Sequence, residues 1–157
     1  MKADIEPTVR AVVSAVLSAK TDLTLEKART LAEAVQRRAN EMGVKPVIAV
    51  CDAGGNPLLM HREEGAFIAS VDIAVNKAYT SVALKMPTKD LAALAAPGGS
   101  LYGIQFTNGG RIVIFGGGVP LTVGDSIVGG FGVSGGTAAE DTALGDFAER
   151  YFSEELL

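Results

Sequence analysis

Between Ile112 and Val133 three apolar runs follow one another with almost nothing between them: Gly116-Gly117-Gly118 separates the first two, and Gly124-Asp125 the last two. Connections this short join antiparallel neighbours, because parallel strands need a crossover of about a dozen residues or more. Ile112 to Phe115, Val119 to Val123 and Ser126 to Val133 therefore predict an antiparallel meander. Val47 to Asp52 and Leu58 to Arg62, joined by Ala53-Gly54-Gly55-Asn56, predict a hairpin, which brings the expected sheet to five strands.

Helices fill the spaces between these runs. Leu25, Ala28, Leu31, Ala32, Val35, Ala39 and Met42 recur at helical spacing behind Thr24, and Gly43 is a good stop. Ser70 is expected to cap a helix that runs to about Leu84, with Val71, Ala74, Val75, Ala78 and Val82 facing inward. A brief helical turn is expected around Asp90 to Leu94. Thr137 and Glu140 form a capping box at the start of the last helix. The result is one α/β (α+β) domain, an antiparallel sheet with flanking helices, over residues 22–157.

Ahead of it, Ile5, Val9, Val12, Val13, Val16 and Leu17 lie on one face of a helix, and Thr21-Asp22 breaks the pattern. Residues 1–21 thus read as a separate amphipathic segment, four turns long. Such a stripe is marginal alone in water and must be covered by a partner.

Composition narrows the function. Apolar residues make up 48% of the 157, with a mean hydropathy of +0.28. That is high for so small a chain, and it predicts an oligomer that covers part of the surface. The net charge of −4 comes from interspersed acids and bases. With no Lys/Arg cluster to follow a phosphate backbone, nucleic acid is not an expected partner. No apolar run is long enough for a membrane span, and no secretory signal pattern opens the chain, so a cytoplasmic location is expected. Cys51 stands alone and reads as a small core residue.

The nineteen glycines do not make a nucleotide site. Val119-Pro120 follows Gly116-Gly117-Gly118 where a P-loop would have lysine and a helix. Ser134-Gly135-Gly136-Thr137 does precede a helix, but Glu140 and Asp141 occupy its first turn and repel anions. His61 is the only histidine, and it has no nucleophile in local register. Lys77 borders an apolar helix face and needs either a path to water or a partner, for which Asp72 and Glu64 are the nearest candidates.

Four stretches carry a family resemblance: Val50 to Leu59, Asp72 to Thr80, Phe115 to Leu121 and Ile127 to Thr137. They resemble the haem-binding/glycolate-operon accessory (GlcG/HbpS-like) family over residues 22–152. Asn76 to Thr80, Pro97 to Gly103 and Arg111 to Gly118 are similar to the C-terminal domain of PduO-type corrinoid adenosyltransferases. The adenosyltransferase domain itself is absent from this sequence. The resemblance implies a profilin-like fold, homo-oligomers from dimers up to octamers, and haem or a related tetrapyrrole such as a corrinoid as ligand. Some members bind iron through a histidine on the first long helix, and Leu25 to Met42 contains none. His61, Met60 and Tyr102 are the substitutes here. Lys77 and Arg62 are expected to meet propionates, and Thr80, Tyr102, Gly116, Gly117, Gly118 and Pro120 to line the pocket.

The opening segment in turn resembles the encapsulation peptides that direct cargo into bacterial microcompartments, which would make shell or cargo proteins its partners. The function expected is that of an accessory tetrapyrrole-binding protein inside a compartment that degrades diols, glycerol or ethanolamine. Two alternatives are a small-molecule enzyme acting on an aldehyde, hydroxy acid or haem, with Lys77 and Arg62 near the reacting group, and a structural module for oligomerisation.

Overall fold

The computed structural model describes residues 6–13 and 23–157. Residues 6–13 are helical (α1), and Val9, Val12 and Val13 on it are each about half exposed. Ile5, Val16, Leu17 and the expected break at Thr21-Asp22 lie outside the described residues.

The domain runs α2 (Leu25–Glu41), β1 (Val47–Asp52), β2 (Pro57–Arg62), α3 (Ala69–Ala83), α4 (Thr88–Ala95), β3 (Gly118–Val123), β4 (Ser126–Ser134) and α5 (Ala138–Glu155). Two 3-10 turns, Ile104–Phe106 and Asn108–Gly110, sit between α4 and β3. All pairings are antiparallel, in the order β2-β1-β4-β3. Pro57 and Pro120 both fall on edge strands, where a missing ladder donor is tolerated.

The described residues thus contain four strands, not five. Ile112 to Phe115 does not join the sheet. Its backbone is held by α3 instead: the Val113 N–H donates to Thr80 Oγ1 at 3.0 Å, and the Thr80 hydroxyl lies 3.2 Å from Arg111 O. Beyond it Gly117 turns at φ +112°, and the Gly118 N–H donates to Thr88 Oγ1 at 2.9 Å. β-Branched composition cannot tell a strand from an extended segment clamped by side-chain hydroxyls. Ser70 is likewise no cap. It lies inside α3, within 3.1 Å of the Ser134 hydroxyl, and Ile68 occupies the N-cap without a side-chain bond. The other helix ends follow the sequence. Thr24 caps α2, Gly43 turns left-handed at φ +72°, and Thr137 and Glu140 close their capping box.

Strand periodicity divides the core into two layers. Ile48 and Val50 of β1, Phe131 and Val133 of β4, and Val119 and Leu121 of β3 face one way. There they pack with Leu31 and Val35 of α2 and Leu144, Ala148 and Phe152 of α5. Each fully buried Leu, Val or Phe contributes about 1.5–3 kcal/mol relative to exposure. Val47, Ala49 and Cys51 face the other way, against Ala66 and against Ala74 and Ala78 of α3. Burial pushes the Cys51 thiol up to about 11, so it stays protonated.

On that second face β4 presents glycine. A Cβ on Gly132 would strike Ala74 O and lie 2.6 Å from Ala78 N, and one on Gly130 would strike Ala78 O. The backbone of α3 rests directly on the backbone of β4. Gly132→Ala is expected to push α3 off the sheet and destabilise the fold by about 3 kcal/mol, read as a lower denaturant midpoint at unchanged m-value. A midpoint within error of the parent would refute this packing.

Candidate functional site

Close approach of α3 to the sheet brings Lys77 into the interior. Its side chain is 0% exposed, and Nζ donates to Asp141 Oδ2 at 2.7 Å and to Val133 O at 2.8 Å. The ammonium also lies 4.8 Å from the centre of the Phe115 ring. Asp141 uses its second oxygen to accept the Gly136 N–H at 2.9 Å. Gly117 passes so close that a Cβ there would come within 2.8 Å of Lys77 Nζ and 2.7 Å of Val133 O. Burial pulls the Lys77 pKa below its ordinary value, and the Asp141 charge opposes that shift.

Lys77 therefore pairs with Asp141, not with Asp72 or Glu64. The pair is separated by 64 positions, so no local pattern signals it. Enclosed in this way, Lys77 is not presented to solvent and does not offer its charge to a propionate or its amine to a substrate. It ties α3, β4, α5 and the Phe115–Gly117 bend together.

A second cluster lies on the neighbouring face of α3. Asn76, Tyr79 and Thr80 are three and four residues apart and so share that face. Thr80 is fully buried, with its hydroxyl donating to Asn76 O at 2.7 Å. Arg111 lies over the Tyr79 ring, its guanidinium carbon 3.6 Å from the centroid, and its Nε reaches Asn76 Oδ1 at 3.5 Å. The Asn108 amide donates to Tyr79 OH at 3.3 Å. The Tyr79 ring also lies against Gly55, where a Cβ would come within 2.8 Å of it. Arg111 and Asn76 both belong to quoted family motifs, yet neither was singled out as a site residue. The signal available was a basic residue directly after two glycines.

The remaining expected site residues do not gather around one pocket. Gly117 lies against the Lys77–Asp141 pair, Gly118 against the Lys77 carbonyl and Thr88, and Gly116 against Thr142 and Lys89, while Pro120 is buried in β3. His61, Met60 and Arg62 are exposed on β2, at the opposite edge of the sheet, three strand spacings or about 14 Å away. Among the described residues the Arg62 guanidinium reaches only Ala66 O, at 3.5 Å. Tyr102 is 65% exposed on the loop that also carries Phe106, 82% exposed. Among the described residues no group of three His, Cys, Asp or Glu side chains is placed to hold a metal ion, and no helix is long and apolar enough to cross a membrane.

Residues 23–148 match the family model for haem degrading protein HbpS-like. The chain belongs to the HbpS-like family. A 15.0 kDa protein from the dhaT-dhaS intergenic region of Citrobacter freundii is 47% identical over 132 residues, covering 84% of this chain and 93% of that protein. The crystal structure of Klebsiella pneumoniae protein ORFY is similar at a TM-score of 0.82 and 44% identity, covering 84% of this chain and 91% of ORFY. The PduOC:Heme complex is similar at a TM-score of 0.79 and 32% identity, covering 82% of this chain and 94% of PduOC. Against the corrinoid adenosyltransferase PduO of Citrobacter freundii the match is 35% identical and spans only 38% of that enzyme's length.

For this HbpS-like chain the buried pair makes a direct prediction. Lys77→Met leaves the Asp141 carboxylate in the core without its cation, and is expected to destabilise the fold by about 3–5 kcal/mol. Lys77→Met combined with Asp141→Leu is expected to be less harmful than the sum of the single changes. A double-mutant cycle in urea checks this, and additive effects would refute the coupling.

Proposed function

We propose that this protein is an accessory tetrapyrrole-binding protein whose ligand is haem or a related corrinoid. The observation that carries the reading is its similarity to a domain crystallised with heme, at 32% identity over nearly the whole of that domain. The chain's own surface supports it. The edge strand β2 exposes His61, the only imidazole in the sequence, on one face and the thioether of Met60 and the guanidinium of Arg62 on the other. In this reading His61 supplies an iron ligand to haem bound on its own face of that edge. The protein then uses exposed apolar side chains such as Phe67 and Ile68 to assemble with further copies of itself.

Haemin titrated into the protein is expected to give a shifted Soret band and to stay bound through gel filtration, and His61→Ala is expected to change the band position. An unshifted Soret band with all haemin lost on the column would refute binding.

The opening segment supports a place inside a bacterial microcompartment. Val9, Val12 and Val13 stay about half exposed on α1, and such a stripe needs cover. In this proposal residues 1–21 direct the domain to shell or cargo proteins. Deleting them is expected to leave the melting temperature of the domain within about 2 °C and to abolish co-sedimentation with shell proteins. Undiminished co-sedimentation would rule the segment out as the address.

A further inference from the structure

Arg111 is a cation without an anion. Most arginines near a protein interior are paired, because a desolvated charge is costly alone. Arg111 is half-buried, and no carboxylate lies within salt-bridge distance of it among the described residues. Its neighbours are instead neutral. Tyr79 stacks beneath its plane, and Asn76 takes the Nε edge.

Neither Cys51, which feels its charge, nor the adjoining Asp52 compensates it. Asp52 is committed to its own turn, accepting the Gly54 N–H at 2.8 Å and the Asn56 N–H at 2.9 Å on one oxygen. Cys51 is close enough to feel the Arg111 charge, yet burial keeps its thiol protonated. The guanidinium is thus held over the Tyr79 ring, its Nε is occupied by Asn76, and the two terminal nitrogens have no acceptor among the described residues. The backbone beneath is fixed too, with Arg111 O held at 3.2 Å from the Thr80 hydroxyl.

From this geometry we propose that the terminal nitrogens of Arg111, held by Tyr79 and Asn76, form a receptor for a single carboxylate. A planar fork fits two carboxylate oxygens side by side. One positive charge matches one negative charge, whereas a phosphate dianion would call for a second cation, and Lys77 is sealed off by Asp141. The loop that delivers Arg111 also exposes Tyr102 and Phe106, so an apolar body attached to the carboxylate has aromatic surface on the same loop. The carboxylate can come from a free small acid or from a propionate arm of a tetrapyrrole. The site itself does not depend on the haem reading.

Two pairs of probes test the site on the full chain by isothermal titration: benzoate against benzamide, and haemin against haemin dimethyl ester. Benzoate or haemin is expected to bind the parent at least about tenfold more tightly than its uncharged counterpart. The same loss is expected in Arg111→Gln, with Arg111→Lys falling between because it keeps the charge but not the fork. Circular dichroism and the melting temperature establish that both variants are folded, and the uncharged probes give the same information without a variant. A loss confined to benzoate identifies a free acid as the source, and a loss for haemin identifies the propionate. Haemin that binds equally to the parent, its Arg111→Gln variant and as the ester, with no benzoate binding, overturns the proposal and leaves the haem reading intact. Benzoate binding that depends on Arg111 without any haemin binding does the reverse.

Discussion

The contact between the backbones of α3 and β4 governs the rest of the molecule. Helices usually stand about 10 Å from a sheet because side chains intervene, as they do between stacked sheets. Here Gly130 and Gly132 remove those side chains, and α3 settles onto the strand. Only at that depth can a side chain at position 77 reach both a carbonyl of β4 and a carboxylate of α5. The same depth brings Thr80 within reach of the 111–113 backbone, which keeps that segment out of the sheet. Two glycines therefore decide a buried ion pair, a missing strand and the placement of Arg111.

Much of the fold was legible in the sequence because its signals are local. Thr24, Gly43 and the Thr137–Glu140 box act within one helical turn, and the glycine turn at Gly124 acts within two residues. What could not be read depends on partners far away along the chain. Ile112 to Phe115 has strand composition, and only the hydroxyl of Thr80, some thirty residues earlier, determines that it is not one. Lys77 on an apolar helix face calls for a path to water or a partner, but local reasoning offers only near neighbours, and Asp141 is 64 positions on. Family resemblance and residue type point to His61 and to Gly116–Gly118 alike. Neither criterion reveals that β2 and β3 are opposite edges, so His61 and the glycine bend were grouped although the sheet separates them.

Charge is handled in two contrasting ways on a single helix. Lys77 points into the sheet and is fully compensated, by a carboxylate, a carbonyl and a ring face. Two residues further on, Tyr79 supports a guanidinium delivered from another segment and left uncompensated. The first arrangement contributes rigidity, since all four elements must be in place for it to form. The second contributes recognition, since an unmatched charge held in a fixed plane favours an arriving anion. Their closeness means that the scaffold stiffened by the first also orients the second.

Main-chain contact at β4 has a consequence for how such a domain can diversify. Where side chains set the gap between layers, every outward change of residue size perturbs the interior. Here the gap is set by atoms that all residues share, so it is indifferent to what the far side of α3 or the loop over Tyr79 carries. Descendants of one ancestral chain can exchange their ligand-facing residues while the frame stays in register, as long as two positions never gain a methyl group.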